Sequence, residues 1–199
     1  MMDRLGRGGW GRGGRRGFWL PVLFAAALAG CAPAVESYLH PDVDLGHVRR
    51  VAVLPFANLS TDEVADERLY SLFLTRLLGA QVVEIVETGA VREALTALRL
   101  TPDSAPTPEQ IVALGAALRV DAVFAGTVEE YGIQRGNRES LSQVTASFTL
   151  TETQRGLLVW RVQAHASSAS FWRRLFGTSE RSLHEISAAA IDSALETLF

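Results

Sequence analysis

Between positions 50 and 128, the spacing of the apolar residues alternates between that of a strand and that of a helix. Three short valine-rich runs, RVAVLPF, QVVEIVE and VDAVFAGTV, are typical of buried strands. Between these runs, apolar residues recur three or four positions apart over 63–78, 89–100 and 111–118, which predicts amphipathic helices. The order strand, helix, strand, helix, helix, strand predicts a parallel sheet with helical crossovers.

Two helix boundaries are marked in the sequence. Gly79 follows the first helical pattern and is expected to end that helix. The segment TPEQ predicts the start of the third helix, with Thr107 as N-cap, Pro108 in the first turn and Gln110 closing a capping box.

In the carboxyl-terminal part, apolar and polar residues alternate. VTASFTLTE and LLVWRVQAHA predict two half-buried antiparallel strands joined at TQRG, where Gly156 allows a positive φ. The residues expected to face inward are Val144, Ala146, Phe148, Leu150, Leu158, Trp160, Val162 and Ala164. A helical stripe over 183–198 follows. The predicted fold class is α/β, with a mixed sheet made of a parallel βαβααβ half, an antiparallel hairpin and a carboxyl-terminal helix, over 49–199.

Composition and charge limit the classes of function. The 199 residues, with 48% hydrophobic and 21% charged content, suit one globular domain. All 19 basic residues are arginine, which excludes chemistry that needs a lysine, such as Schiff-base formation or a P-loop. Residues 31–199 have a formal charge of −7, which does not suit binding to nucleic acid.

The amino-terminal 30 residues have the organisation of a signal peptide. Five arginines precede an apolar run over 18–29, and small residues end it. The glycine- and arginine-rich part of this segment also matches G-x-G-x-x-G and resembles an RNA-binding RGG segment, but neither alternative accounts for the apolar run. An export signal accounts for both the arginine-rich start and the apolar run. RRGFWL partly resembles a twin-arginine signal, although the strongly apolar run favours the general export pathway.

Cys31 is the only cysteine and ends this segment. The stretch Leu28, Ala29, Gly30, Cys31 resembles the lipobox of bacterial lipoproteins. That resemblance implies that Cys31 becomes the first mature residue, bears a diacylglycerol thioether and an N-acyl chain, and holds the protein on a membrane lipid surface. Ala32, in place of aspartate, favours the outer membrane with the domain facing the periplasm. The alternative is an idle cysteine in a plain signal sequence. Residues 31–48 are expected to form a lipidated tether, and the chain from Cys31 to Val51 has a limit of roughly 65 Å when extended.

Sequence patterns of catalytic and metal sites are absent. There is no G-x-S-x-G or H-E-x-x-H motif, and the four histidines lack ligand spacing, so no catalytic residue, metal site or cofactor is predicted beyond the lipid. His165 falls on the polar side of its strand, where a surface or cross-strand hydrogen-bonding role is the favoured interpretation. Asn58 and Ser60 follow the first strand, where ligands often bind, but loop and capping roles are commoner for these residue types.

Three segments, VAVLPFANLS, LGAALRVDAVFAGTVEEYG and FTLTETQRGLLVW, resemble in their order the core of the curli-secretion (CsgG-like) lipoprotein family. Its relatives include small outer-membrane lipoproteins and activators of peptidoglycan synthases. The resemblance covers 49–199 and implies a three-layer α/β domain similar to the amino-terminal domain of TolB. It also implies a role in binding and assembling envelope proteins.

The pore-forming members of that family extend two long hairpins, at places that correspond here to 132–143 and 166–177. Each stretch has twelve residues, too few for two spanning strands of about 9 to 11 residues each with a turn, so no pore is expected. The second stretch contains FWRRLFG, whose composition suits a partner or membrane contact, or a loop folded back on the core. The contact residues would be Phe171, Trp172, Arg173, Arg174, Leu175 and Phe176.

The sequence therefore predicts a non-catalytic, lipid-anchored binding or assembly module of the cell envelope. Two alternatives stay open, a lipoprotein regulator of a peptidoglycan synthase and an envelope enzyme. The expected partners are membrane lipid through Cys31, envelope proteins and further copies of the chain, with no nucleic acid.

Overall fold

The computed structural model describes residues 34–43, 45–101, 105–135, 140–168 and 182–199. Within these ranges, four helices and one mixed sheet confirm the predicted α/β class. The strands are β1 (Ala34–Leu39), β2 (Arg50–Val53), β3 (Ala57–Asn58), β4 (Glu84–Ile85), β5 (Ala122–Arg135), β6 (Ser140–Glu152) and β7 (Leu157–Ser167). The α-helices are α1 (Ala65–Ala80), α2 (Thr88–Ala97), α3 (Pro108–Leu118) and α4 (Leu183–Leu195).

The seven strands form one sheet in the order β1-β7-β6-β5-β2-β4, with β3 pairing with β5 beyond the end of β2. The predicted division into two halves is confirmed, because β2 is parallel to β4 and β5, whereas β5, β6, β7 and β1 pair antiparallel. Among the described residues, no helix is both long and apolar enough to span a bilayer.

The two faces of the sheet bury separate apolar clusters. On one face, α1 and α4 cover the sheet, and Phe73 of α1 lies with its ring centroid 5.5 Å from that of Phe124 and 5.0 Å from that of Phe148. On the other face, α2 and α3 pack Val91, Leu95, Ile111, Leu114 and Leu118 against β2 and the first residues of β5. This arrangement gives three layers over the parallel half of the sheet.

Several predicted local features are present. Thr107 caps α3 by accepting from the Gln110 N–H, and the Gln110 side chain accepts from the Thr107 N–H, which completes the capping box. Gly156 has φ +66° in the β6–β7 turn, where a Cβ would lie 2.5 Å from the Pro108 carbonyl oxygen. Glycine is therefore needed at this position for both conformation and space.

Three expectations differ from the structure in local detail. Helix α1 continues through Gly79 and ends with Gln81 in the left-handed region at φ 55°. Strands β5 and β6 pair as far as Arg135 and Ser140, so 132–143 contains the paired tip of a hairpin. Val159 is an extra residue in β7 opposite β6, and this bulge leaves Leu158 half-buried while Val159 and Trp160 are both buried.

The largest difference between the sequence prediction and the structure is in the expected tether over 31–48. Its described part enters the sheet, because Ala34–Leu39 forms β1 along β7, and Leu45–His47 forms a short 3₁₀ helix. Pairing with β1 satisfies backbone groups of β7 that would otherwise be unpaired at an edge. Val35 of this strand packs against the core cluster, whereas the side chains over 36–39 are exposed, so AVESYL shows little of the alternation that marks a strand in sequence.

Candidate functional site: a polar sheet face

Helices α2 and α3 cover only part of their side of the sheet, and their buried cluster includes no residue of β6 or β7 within the described ranges. Beyond this cluster the same side of β5, β6 and β7 presents polar side chains. We call this surface the polar face and define it by Thr127, Glu129, Glu130, Thr145, Ser147, Thr149, Arg161, Gln163 and His165.

A β-bulge shapes the polar face at its centre. Val128 pairs with Ala146 and Glu130 pairs with Thr145, so Glu129 is an extra residue in β5. Side chains normally alternate between the two sides of a strand, but a bulge interrupts that alternation. As a result, Glu129 and Glu130 both bond to side chains of the polar face although they are consecutive in sequence.

Glu129 is held by donors from two strands. The Ser147 hydroxyl of β6 donates to Glu129 Oε1 at 2.7 Å, and the Gln163 amide of β7 donates to Glu129 Oε2 at 2.6 Å. Because each carboxylate oxygen has its own donor, the side chain is fixed across three adjacent strands.

Glu130 belongs to a second chain of hydrogen bonds. Its Oε2 accepts from the Thr145 hydroxyl at 2.8 Å and from the Gln143 amide. These bonds lower the pKa of Glu130 below its ordinary value, Thr145 having the larger effect and Gln143 the next, against a small opposing effect of burial. The charge of His165 lowers it slightly further.

Thr145 also lies 2.9 Å from Nδ1 of His165, which is directly opposite it on β7. The single hydroxyl hydrogen of Thr145 is donated to Glu130, so the Nδ1–H of His165 donates to the Thr145 oxygen. The predicted cross-strand hydrogen-bonding role of His165 is confirmed.

A cleft of about 240 Å³ borders the polar face where α2 and the connection to α3 approach β5 and β6. Apolar side chains such as Leu54, Leu95 and Leu100 line one wall, and Thr127, Ser147, Thr149 and Arg161 of the polar face line the other. We call this feature the Arg161 cleft. It combines an apolar wall with a few polar groups, which is the usual composition of a ligand-binding site.

The chemistry of the polar face is suited to recognition. Its two carboxylates are held by hydroxyl and amide donors, and His165 is bonded to a hydroxyl. In the ranges that the structure describes, no three His, Cys, Asp or Glu side chains come together as metal ligands. Because Glu129, Glu130 and His165 are already held by these bonds, they lose little conformational entropy when a partner binds.

The lipidation, contact and loop residues that the sequence predicted as candidate sites are not among the residues that define the polar face. The lipobox and lipidation residues, Leu28, Ala29, Gly30 and Cys31, and the contact residues over 171–176 lie outside the described residues. Asn58 ends β3, and its side chain and that of Ser60 hold the turn that follows, in agreement with the predicted loop and capping roles. The Asn58 amide donates to the Asp62 carbonyl at 2.8 Å and to Asp66 at 3.1 Å, and Asn58 Oδ1 accepts from Ser60 N–H and Oγ at 3.0 and 2.7 Å.

The polar face itself was missed by sequence reasoning. Alternating threonine and serine at 145, 147 and 149 marked the polar side of β6, and EE at 129–130 was the available signal for the bulge. Two successive glutamates at the end of a buried run break the alternation that a half-buried strand requires.

The sequence matches no protein-family model and no curated protein. Solved structures with a similar fold include the PelC dodecamer from Paraburkholderia phytofirmans, at 19% identity and a TM-score of 0.54 over 83% of this chain and 96% of that one. Lipoprotein GNA1162 from Neisseria meningitidis is similar at 21% identity and a TM-score of 0.55, over 75% and 99% of the two chains. The hypothetical protein CT253 from Chlamydia trachomatis is similar at 12% identity and a TM-score of 0.52, over 76% and 95%.

The resemblance to the CsgG-like family and to the amino-terminal domain of TolB is wrong, because the structural similarity is to PelC and GNA1162 and not to CsgG. The physical reason lies in the segments on which the resemblance rested. VAVLPF and VDAVFAGTV are the parallel strands β2 and β5, and TQRG is a hairpin turn. Buried strands and tight turns impose similar residue types in many α/β domains, so their order indicates fold more than family.

Proposed function

We propose that this chain is a lipid-anchored protein of the bacterial envelope whose α/β domain binds other proteins through the polar face and performs no catalysis. The observation on which this rests is the polar face itself, a side of the sheet where hydrogen-bonded polar side chains such as Glu129 and Gln163 lie next to a cleft. Similarity of fold to a structure described as a lipoprotein, GNA1162, supports the envelope part of the proposal.

The anchor in this proposal is the lipid on Cys31, and Ala32 at the next position favours the outer membrane, with the domain in the periplasm. Strand β1 begins at Ala34, three residues after Cys31. Three extended residues reach roughly 10 Å, which is far less than the 65 Å of a free tether. The proposal therefore places the β1 edge of the domain near the lipid surface.

Partners in this proposal include envelope proteins and further copies of the chain. PelC, which shares the fold, was solved as a dodecamer, and this supports self-association as one use of the domain. The polar face has the residue types expected of a reversible interface, with hydrogen-bonding groups beside an apolar region.

Site-specific photo-crosslinking of the full-length protein in cells tests the binding part. A benzoylphenylalanine replaces Gln163 on the polar face or Arg92, an exposed residue of α2, as the matched control. We expect discrete adducts from position 163 and none from position 92. The mass of the adduct separates a second copy from a different envelope protein. No adduct from position 163, or equal adducts from both positions, contradicts the proposal.

A further inference from the structure

The Arg161 cleft has a chemistry that specifies its occupant. We propose that it binds an extended segment of a partner protein in which an apolar side chain and a carboxylate side chain lie two residues apart. This inference rests on the proposed function, because it names the chemistry of the partner at the border of the polar face.

The charge of the cleft indicates that the partner segment has a carboxylate. Arg161 is the one charged side chain among its described lining residues. This side chain is exposed, and its guanidinium forms no ion pair or hydrogen bond with any residue that the structure describes. Glu129, an acidic side chain of the polar face, is held by Ser147 and Gln163. A guanidinium binds carboxylates in a bidentate geometry, so Arg161 selects an acidic group.

The wall of the cleft opposite Arg161 indicates that the partner segment also has an apolar side chain. Leu54, Leu95, Leu100 and Pro106 line this wall, and Leu59 at its rim is 71% exposed. An exposed leucine beside an apolar cleft leaves surface that gains free energy when an apolar group covers it. One apolar side chain of the partner that enters the cleft buries both Leu59 and the apolar wall.

The volume of the cleft and the position of Arg161 indicate that the partner segment binds in an extended conformation. In a strand, side chains two positions apart lie on the same side and about 7 Å apart. A volume of about 240 Å³ is below the ordinary range for a whole small-molecule ligand and suits a single side chain. Arg161 belongs both to the cleft and to the polar face, so the rest of the segment can continue over β6 and β7.

Two synthetic peptides test this inference by calorimetric titration of the full-length lipidated protein in lipid nanodiscs. The first is acetyl-Ser-Leu-Ser-Glu-Ser-Leu-Ser-amide, in which the glutamate supplies the only carboxylate. The second has glutamine in place of that glutamate. We expect the wild-type protein to bind the glutamate peptide about tenfold more tightly, as for a charge-assisted hydrogen bond.

Two pairs of variants separate the contributions of charge and apolar contact. Arg161→Gln should remove the preference for glutamate, whereas Arg92→Gln, at an exposed arginine of α2, should keep it. Leu59→Ser should weaken both peptides about fivefold and keep the preference, whereas Leu78→Ser, at a leucine of α1 that is 59% exposed, should change neither. Equal binding of the two peptides, no binding of either, or a preference that survives Arg161→Gln would overturn the inference. Crosslinking from position 163 in that case would leave the proposed function standing.

Discussion

Glu129 and Glu130 are adjacent in the chain, yet their carboxylates accept hydrogen bonds from Ser147 and Thr145 on the same side of strand β6. The bulge at Glu129 makes this arrangement possible, because it places two consecutive side chains on one side of the sheet. Two acidic groups are thereby concentrated on the polar face and held by neighbouring strands. The consequences for titration and for stability can be measured separately.

The first prediction concerns the pKa of Glu130. Thr145→Val removes the hydroxyl that lowers this pKa most, while it keeps the shape of the side chain. We expect the pKa of Glu130 to rise toward its ordinary value of about 4.5 in the variant, as followed by carboxyl-carbon NMR titration. Ser147→Ala, which affects the partner of Glu129, is the matched control and should leave the pKa of Glu130 unchanged. An unchanged pKa in Thr145→Val would contradict the hydrogen-bond network.

The same network makes a small contribution to stability that depends on pH. The lowered pKa means that the folded state binds a proton on Glu130 less tightly than the unfolded state. The contribution is therefore present above the ordinary pKa and is lost as the pH falls through the lowered one. We expect Thr145→Val to reduce the free energy of unfolding more at pH 7 than at pH 3, as measured by urea denaturation. A larger loss at pH 3 would contradict this sign.

The second prediction concerns the core beneath the opposite face. Trp160 is fully buried, and its indole N–H donates to the Thr197 hydroxyl at 2.9 Å, just beyond α4. Trp160→Ala should lower the free energy of unfolding by about 3–5 kcal/mol, because it leaves a large cavity. Leu78→Ala, at a side chain that is 59% exposed, should change it by about 0.5 kcal/mol or less. Urea denaturation of the two variants provides the comparison, and similar effects would contradict the described packing.

The third prediction compares two glycines within helices. A Cβ on Gly115 of α3 would lie 2.3 Å from Cβ of Thr153, whose hydroxyl is fixed by donating to the Val120 carbonyl at 2.6 Å. Gly115→Ala should therefore destabilise the protein by about 1–3 kcal/mol. Gly79→Ala, with no described atom of a neighbouring group within 4 Å, should stabilise it by about 0.5–1 kcal/mol. If the melting temperature changes in the same direction in both variants, this account of the α3 contact is wrong.

Sequence reasoning succeeded where one local pattern decides the structure. The capping box of Thr107 and Gln110, the turn at Gly156 and the buried runs of β2 and β5 each depend on neighbouring residues. Sequence reasoning failed where the structure depends on contacts with residues far away in the chain. Strand β1 forms in the expected tether because β7, far away in the chain, has an edge to pair.

The polar face shows the same limit. Whether Glu129 and Glu130 share a side depends on the register of β5 against β6, which is not visible in either strand alone. Arg161 of β7 and Leu59, which follows β3, line one cleft although they are far apart in the chain. The family resemblance implied a binding module without a place for it, and the polar face proposed for binding is visible only in the fold.

The central claim is that this chain is anchored to the envelope through a lipid on Cys31. The most direct measurement is metabolic labelling of cells with a fatty-acid analogue, followed by membrane fractionation of the wild-type protein and of Cys31→Ala. Since Cys31 is the only cysteine, no other thiol can bear the lipid. We expect labelled wild-type protein in the membrane fraction, and an unlabelled precursor or a wrongly cleaved product for Cys31→Ala. Unchanged labelling and unchanged membrane association of Cys31→Ala would contradict the account.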